Sequence, residues 1–281
     1  MLEVYKFECF TTPCEIQLYC DDKNKADTCA KDILVEAKRL EKKYNYFDSN
    51  SYLNSINLRK KSTLDIETKT LLQRAKQYYQ KSTGLFDITL ATIKDIYRQN
   101  NTLSSLEKQK EELLKYVGCE HFEIKKEKIY FDNQHTKIDL GGFIKEYSVD
   151  RAILIIKKYK IKSALVNFGG DIYALGTKPN GQNFSVGIKD PQNREKQLFT
   201  IGLYNQALTT SASYERYIKI ENKELSHILS KANYKNEILS ATVVSNSCVE
   251  SGVFSTSFMV DKNIKTVNKK YLIDKNLEII S

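Results

Sequence analysis

Two loops with adjacent glycines, separated by one amphipathic segment, most constrain how this chain can fold. The first loop lies in residues 138–145 (IDLGGFIK), and the second lies in residues 167–171 (NFGGD). Adjacent glycines let backbone N–H groups approach a ligand closely, and the neighbouring aspartates can accept hydrogen bonds or face a metal. The pattern predicts two loops that hold a phosphate-bearing ligand, although most glycine pairs after a strand are simply tight turns.

A helix is predicted directly after the first glycine pair, because residues on one face recur at the i, i+3, i+4, i+7 spacing. These residues are Ile144, Tyr147, Ser148, Ala152, Ile155, Ile156 and Tyr159. The first turn of a helix presents unpaired N–H groups and a partial positive charge, to which Lys145 adds a full one. An anion is therefore the expected occupant of this loop.

The length and composition predict a mixed α+β fold. A chain of 281 residues that is 41% hydrophobic can bury a full core. Only three prolines are present, and no low-complexity stretch marks a linker. The predicted strands and helices do not alternate regularly enough for a doubly wound sheet. We expect one domain over residues 1–281 with two lobes, built from mixed sheets with packed helices.

The charge and cysteine patterns exclude several classes of protein. The net charge is +9, but the lysines are spread along the chain, so we expect no nucleic-acid partner. Six cysteines form no C-x-x-C pair and lack histidines at zinc spacing, which predicts reduced thiols. No run reaches the ~18 apolar residues of a membrane span, and no export signal is recognisable. The sequence as given predicts a cytoplasmic location without a transmembrane segment.

Alternation and capping patterns predict the remaining elements. Helices are expected at residues 26–44, 66–83, 104–118 and 247–260, the last two opened by the capping boxes Ser104–Glu107 and Ser247–Glu250. Strands are expected near residues 14–20, 122–124, 128–131, 164–168, 171–175, 184–188, 198–204, 207–210, 216–221 and 240–244. Residues 46–61 are expected to form a polar loop.

Several blocks in one order resemble a known family. The blocks are residues 47–57, 84–89, 138–147, 164–191, 209–217, 227–228 and 242–260, and the strongest stretch is ALVNFGGDIYALGTKP at residues 164–179. Together they resemble the FAD:protein FMN transferases of the ApbE type over nearly the whole chain. The resemblance implies an ApbE-like fold and a transferase that cleaves FAD with Mg²⁺, moves FMN onto a threonine of a target flavoprotein and releases AMP. A subunit of a membrane redox complex is one such target, and the periplasmic face is then an alternative location.

The resemblance also implies a set of site residues. Contacts to FAD would come from Phe10, Phe47, Leu85, Phe86, Asp87, Asp139, Lys145 and Ile228. The catalytic residues would be Asp139 and His227, and the Mg²⁺ ligands would be Gly142, Ser255 and Thr256. For the aromatic residues the alternative is core packing, and for His227 it is a structural role. Asp171 is expected to cap the turn after its glycines and not to contact the ligand directly. The hydroxyls of residues 209–217 can bond phosphate or the local backbone, and most of them are expected to bond the backbone.

The chain departs from the family pattern at a metal-ligand position. The family carries Asp-x-x-x-Thr on its last helix, whereas this chain has Gly252 and Thr256. The neighbouring residues replace the carboxylate poorly, because Ser251 lies about 100° and Glu250 about 200° around the helix from Gly252. The loop after His227 also departs from the family. Three activities therefore remain open: an FMN transferase, a weakened or inactive FAD-binding protein, and an FAD diphosphatase.

Overall fold

Strands and helices follow one another irregularly along the chain. The structure is a computed structural model that describes residues 1–100, 102–193, 195–213, 217–221, 223–226, 231 and 238–281. Its strands are β1 (Leu2–Cys9), β2 (Thr12–Tyr19), β3 (Phe122–Lys125), β4 (Lys128–Phe131), β5 (Ala164–Phe168), β6 (Asp171–Leu175), β7 (Phe184–Lys189), β8 (Gln197–Leu203), β9 (Gln206–Ala212), β10 (Tyr217–Ile220), β11 (Lys223–Ser226), β12 (Ile238–Ser245), β13 (Lys269–Asp274) and β14 (Ile279–Ile280). Its α-helices are α1 (Lys23–Lys43), α2 (Tyr52–Asn57), α3 (Ile66–Lys81), α4 (Ala91–Lys94), α5 (Ile96–Gln99), α6 (Leu103–Leu114), α7 (Gly141–Lys158) and α8 (Cys248–Phe258). Short 3₁₀ turns occupy Ile88–Leu90 and Cys119–His121.

An eight-stranded sheet forms the framework, in the order β1-β2-β5-β6-β9-β12-β13-β14, and each neighbouring pair is antiparallel. Helix α7 packs against both α1 and α8, and all three helices pack against this sheet. The hairpin β7–β8 packs on the face of the sheet opposite the helices. Alternate residues of β6 point to opposite sides, so this strand contributes to both layers. Tyr173 and Leu175 join the core under the helices, whereas Ile172 and Ala174 join the core under the hairpin. The predicted α+β fold, with several sheets and packed helices, is confirmed.

Helix α7 connects the two largest parts of the core. Its C-terminal half contributes Val149 and Ile156 to the core under the helices, between them and the sheet. Its first turns contribute Phe143 to a second cluster, formed mainly with α2, α3 and the end of α1. The side chain of Phe10 packs against both clusters. The first glycine loop therefore lies where the two clusters meet.

Local capping explains where the sequence-based boundaries hold and where they fail. The predicted N-cap at Ser247 is confirmed, since its side chain accepts from the Glu250 N–H at 3.2 Å, but the box is not closed, because the Ser247 N–H donates to Ser245 Oγ at 3.3 Å. The predicted box at Ser104 is wrong, because α6 begins one residue earlier and its N-cap, Thr102, makes no side-chain capping bond. Residues 46–61 are not simply a loop, since Ser51 caps the short helix α2. In the part of the chain that the structure describes, no helix has the length and apolar character needed to cross a membrane.

Candidate functional site

The first glycine loop folds the Asp139 carboxylate back over the start of α7. The Asp139 N–H donates to the Ile88 carbonyl at 2.9 Å, and Asp139 Oδ1 accepts from the Gly141 N–H at 2.8 Å. A Cβ at position 141 would lie only 3.1 Å from that oxygen, so glycine permits this close approach. Gly142 has the non-helical angles φ −88° and ψ 20°, which kink the first turn of α7. The loop thus holds one carboxylate at a helix N-terminus.

Lys94 neutralises this carboxylate and also faces an aromatic wall. Its ammonium group pairs with Asp139 Oδ2 and lies 4.7 Å from the ring centroid of Phe47 and 5.1 Å from that of Tyr46. Phe47 is 55% exposed, so its ring is open to solvent beside the cation. The sequence analysis missed Lys94, because nothing in the sequence distinguishes it among the 44 lysines and arginines.

The second glycine loop is a tight turn between β5 and β6. Gly169 and Gly170 adopt φ angles of 60° and 93°, and Asn167 Oδ1 accepts from the Gly170 N–H at 2.8 Å. A Cβ at position 169 would fall 2.2 Å from the Thr12 hydroxyl, so that position also requires glycine on steric grounds. The interpretation of Asp171 as the cap of this turn is wrong, since Asn167 closes it.

Asp171 instead forms a buried ion pair with Lys145, which joins the two loops. The Lys145 side chain is 19% exposed and that of Asp171 is 4% exposed, and Lys145 Nζ also donates to the Phe168 carbonyl at 3.3 Å. Burial alone would lower the pKa of Lys145, but the charges of Asp171 and Glu146 outweigh burial and raise it above its ordinary value. Lys145 therefore stays charged at the start of α7.

A second buried carboxylate, Glu146, lies on α7 and faces α8. The residue is 7% exposed, and its Oε2 has no hydrogen-bond partner. Burial, together with the charge of Asp171, raises the pKa of Glu146 to about 8, although Lys145 opposes this shift. A Cβ at Gly252 of α8 would lie 2.7 Å from Glu146 Cγ. The glycine at position 252 therefore leaves the space that the Glu146 side chain fills.

Hydroxyl groups line the contact between β9 and α8. Thr209 Oγ1 lies 3.0 Å from Ser251 Oγ, and Ser211 Oγ lies 2.9 Å from Ser255 Oγ and 3.2 Å from Thr256 Oγ1. The interpretation that most of these hydroxyls bond the local backbone is wrong for Thr209, Thr210 and Ser211. The partners of Thr209 and Ser211 are side chains of α8, and Thr210 Oγ1 lies 2.8 Å from Thr242 Oγ1 of β12. Ser255 is buried and Thr256 is half-buried, so the predicted metal ligands lie at the inner side of α8.

The loop at residues 85–88 supports the site from the core. Phe86 is 6% exposed and its ring centroid lies 5.8 Å from that of Phe143, which places it in the core as the alternative anticipated, while Leu85 is half-buried. Asp87 Oδ1 accepts from the Thr89 N–H at 2.8 Å and from its hydroxyl at 2.5 Å. Asp87 Oδ2 is buried without a hydrogen-bond partner, and burial raises the pKa of this carboxyl.

The remaining predicted residues lie apart or outside the described chain. Phe10 lies in the turn between β1 and β2 with φ 54°, and its N–H donates to Glu41 Oε1 at 2.5 Å. His227 and Ile228 lie outside the described residues. The structure thus gathers Asp139, Lys145 and Gly142 at the start of α7.

The oxygen donors offered by α7 and α8 are of types that suit a hard divalent cation. Among the described residues, no group of three or more His, Cys, Asp or Glu side chains could hold a metal ion. Mg²⁺ also accepts carbonyl and hydroxyl oxygens, which Gly142, Ser255 and Thr256 offer. The unpartnered Glu146 Oε2 adds one buried carboxylate oxygen beside α8. This donor set of hard oxygens is of the type that Mg²⁺ prefers.

Proteins of known sequence and structure resemble this chain throughout. The ApbE family model matches residues 10–276. An FAD:protein FMN transferase of Klebsiella pneumoniae is 27% identical over 164 residues, which cover 54% of this chain and 50% of that protein. One of Chlamydia pneumoniae is 25% identical over 234 residues, which cover 79% of this chain and 72% of that protein. The chain spans half or less of the length of the first two curated relatives, at 50% and 36%.

Solved structures share the fold at lower sequence identity. The crystal structure of the ApbE protein of Thermotoga maritima has a TM-score of 0.89 at 23% identity and covers 100% of this chain and 96% of that one. The flavin transferase ApbE of Vibrio cholerae has a TM-score of 0.82 at 18% identity, with coverages of 100% and 96%. At these identities the structures support the fold alone. With the family model matching residues 10–276, this chain belongs to the ApbE family.

Proposed function

We propose that this protein transfers FMN from FAD to a threonine of a partner flavoprotein and releases AMP, with Mg²⁺ in the site. The observation that carries the proposal is the ApbE family match over residues 10–276, and relatives named FAD:protein FMN transferase support it. The partner is a flavoprotein with an acceptor threonine, and a subunit of a membrane redox complex belongs to this class.

The proposed reaction exchanges the phosphoanhydride bond of FAD for a phosphate ester bond to threonine. The threonine oxygen attacks the phosphorus of the FMN half of FAD, a new P–O bond forms, and the P–O bond to AMP breaks. The hydroxyl proton passes to a base, for which Asp139 and His227 remain the predicted catalytic residues. When bound, Mg²⁺ would neutralise negative charge on the phosphoryl oxygens.

The residues around α7 suit the binding of FAD. In this proposal, the flavin ring lies against the exposed Phe47 and the neighbouring Lys94, with Phe10, Leu85 and Asp87 as further predicted contacts. Phe86 supports this wall from the core. The diphosphate lies at the N-terminus of α7, where the positive end of the helix dipole and the charged Lys145 attract anions.

Other groups in this proposal orient the reacting parts. Lys94 and the Gly141 N–H fix the Asp139 carboxylate, so that its oxygens hold one orientation. The oxygens of Gly142, Ser255 and Thr256 would hold the metal. The Ser211 hydroxyl bonds those of Ser255 and Thr256 and thereby restricts their rotation.

A second candidate is a flavin-binding protein that transfers nothing. The observation that favours it is Gly252, which stands where the family resemblance implies a metal-binding aspartate. An FAD diphosphatase, which would pass FMN to water, is the third alternative. The three activities differ in their products, so one experiment separates them.

The test incubates the purified protein with FAD, Mg²⁺ and a membrane fraction of the source cell. Covalent flavin is read as fluorescence on a denaturing gel, and the labelled residue is identified by mass spectrometry. We expect a fluorescent acceptor band carrying FMN on a threonine, which EDTA and Thr256→Ala both abolish. Free FMN and AMP without a band would indicate the diphosphatase, and bound but intact FAD would indicate the flavin-binding protein.

A further inference from the structure

The contact between α7 and α8 contains a carboxylate that the fold does not otherwise use. Glu146 is more than nine-tenths buried, yet its Oε2 has no hydrogen-bond partner. Burying a carboxyl oxygen without a partner costs free energy, so each such atom in a native structure requires an explanation. A bound cation is one explanation that the surroundings of Glu146 favour.

The surroundings supply the other oxygens of a cation site. Glu146 follows Gly142 by four residues, one turn further along α7, and its side chain packs directly on Gly252. Thr256 follows Gly252 by four residues on α8, so both lie on the same face of that helix. Ser255 Oγ donates to the Gly252 carbonyl at 3.1 Å, which places its hydroxyl at the same contact.

The space at position 252 links these observations. With any side chain at this position, Cβ would come within 2.7 Å of Glu146 Cγ and 3.2 Å of its Cδ and Oε1. The glycine and the glutamate are therefore sterically complementary, and only one of the two positions can carry a carboxylate in this arrangement. Gly252 does not leave the contact without an acid, because Glu146 brings one from the opposite helix.

We propose that Glu146 supplies the acidic ligand of the Mg²⁺ site, so that the carboxylate reaches the metal from α7 instead of from position 252 on α8. The proposal rests on the proposed function, since that function uses Mg²⁺ at this contact. It also removes the main argument for an inactive site, because the carboxylate is relocated and not lost.

The test measures metal binding directly, with Mn²⁺ as a paramagnetic substitute for Mg²⁺. Electron paramagnetic resonance counts free Mn²⁺ during titration of the purified protein, with and without FAD. We expect Glu146→Gln, which keeps the side-chain shape, to weaken Mn²⁺ binding at least about tenfold, because affinity for hard cations follows the number of charged oxygens. FAD affinity, read from quenching of flavin fluorescence, identifies variants that remain folded and bind nucleotide.

Two further variants make the test specific. The double variant Glu146→Gly with Gly252→Asp moves the carboxylate to α8 and should restore Mn²⁺ binding, whereas Gly252→Asp alone would force its side chain against Glu146. Glu250→Gln is the matched control on α8, because Glu250 lies about 200° around the helix from Gly252. This control should bind Mn²⁺ like the wild type.

The outcomes separate this inference from the proposed function. Mn²⁺ binding by Glu146→Gln as tight as in the wild type would overturn the inference even if FMN transfer is observed. Absence of Mn²⁺ binding to the wild-type protein in the presence of FAD would also overturn it. Loss of Mn²⁺ binding in Glu146→Gln, with recovery in the double variant, supports the inference even if no acceptor is labelled.

Discussion

The steric complementarity of Gly252 and Glu146 predicts a strong coupling between substitutions at these positions. In Gly252→Ala, the new Cβ would lie 2.7 Å from Glu146 Cγ, a distance that buried neighbours cannot tolerate without moving. We expect overpacking to destabilise the protein by about 1–3 kcal/mol. In a Glu146→Ala background the clashing atoms are gone, and alanine in a helix interior is about 1 kcal/mol more favourable than glycine. The same substitution should therefore change sign, with a coupling free energy of about 2 kcal/mol or more.

The assay for this prediction is urea unfolding of the four proteins of the cycle, followed by circular dichroism in metal-free buffer. The free energy of unfolding comes from the midpoint and slope of each transition. Gly202→Ala in β8 is a control, because the nearest atoms to its added Cβ would lie at 3.7 Å. Equal destabilisation by Gly252→Ala with and without the Glu146 side chain would refute the packing described here.

Three further predictions concern residues around the two glycine loops and on the outer helices. Lys145→Ala should destabilise the protein by about 3–5 kcal/mol in urea unfolding, because Asp171 would remain buried and unpaired; a loss below 1 kcal/mol would argue against this pair. Gly169→Ala should lower the free energy of unfolding by about 2 kcal/mol or more, because position 169 has a φ of 60° and the added Cβ would overlap Thr12. An unchanged midpoint of urea unfolding would contradict this. Burial raises the pKa of Glu67, but hydrogen bonds led by that from Arg39 outweigh burial and lower it to about 2. Since this value lies below the ordinary 4.5, the stability from Glu67 is present above pH 4.5 and lost as the pH falls toward 2. Thermal unfolding of Glu67→Gln should depend less on pH across this window, and an unchanged profile would contradict the assignment.

Strong local patterns made the central strands predictable. Strands β5 and β6 occupy the predicted residues, because alternating apolar side chains flank a glycine pair that is typical of a tight turn. The edge strand β1 was not predicted, since its apolar residues Leu2 and Val4 are 46% and 45% exposed and do not mark a buried face. Alternation identifies a strand only where one face is buried.

The candidate site was predictable where its residues lie within one motif. The glycine loops, Asp139 and Lys145 could be identified because each lies beside a glycine pair at a helix start or a strand turn. Lys94 could not, because it reaches Asp139 from a four-residue helix that carries no periodic signal. The pairing of Glu146 with Gly252 joins two helices that are distant in sequence, so a single sequence indicates only that position 252 lacks a carboxylate.

The measurement that tests the account most directly is anomalous diffraction from crystals grown with FAD and Mn²⁺. The account predicts an FAD diphosphate at the start of α7 and a Mn²⁺ peak between α7 and α8, with a Glu146 carboxylate oxygen at about 2.2 Å from the metal. A metal held by Gly142, Ser255 and Thr256 with the Glu146 carboxylate out of reach would contradict the relocated ligand. FAD bound elsewhere would contradict the site itself.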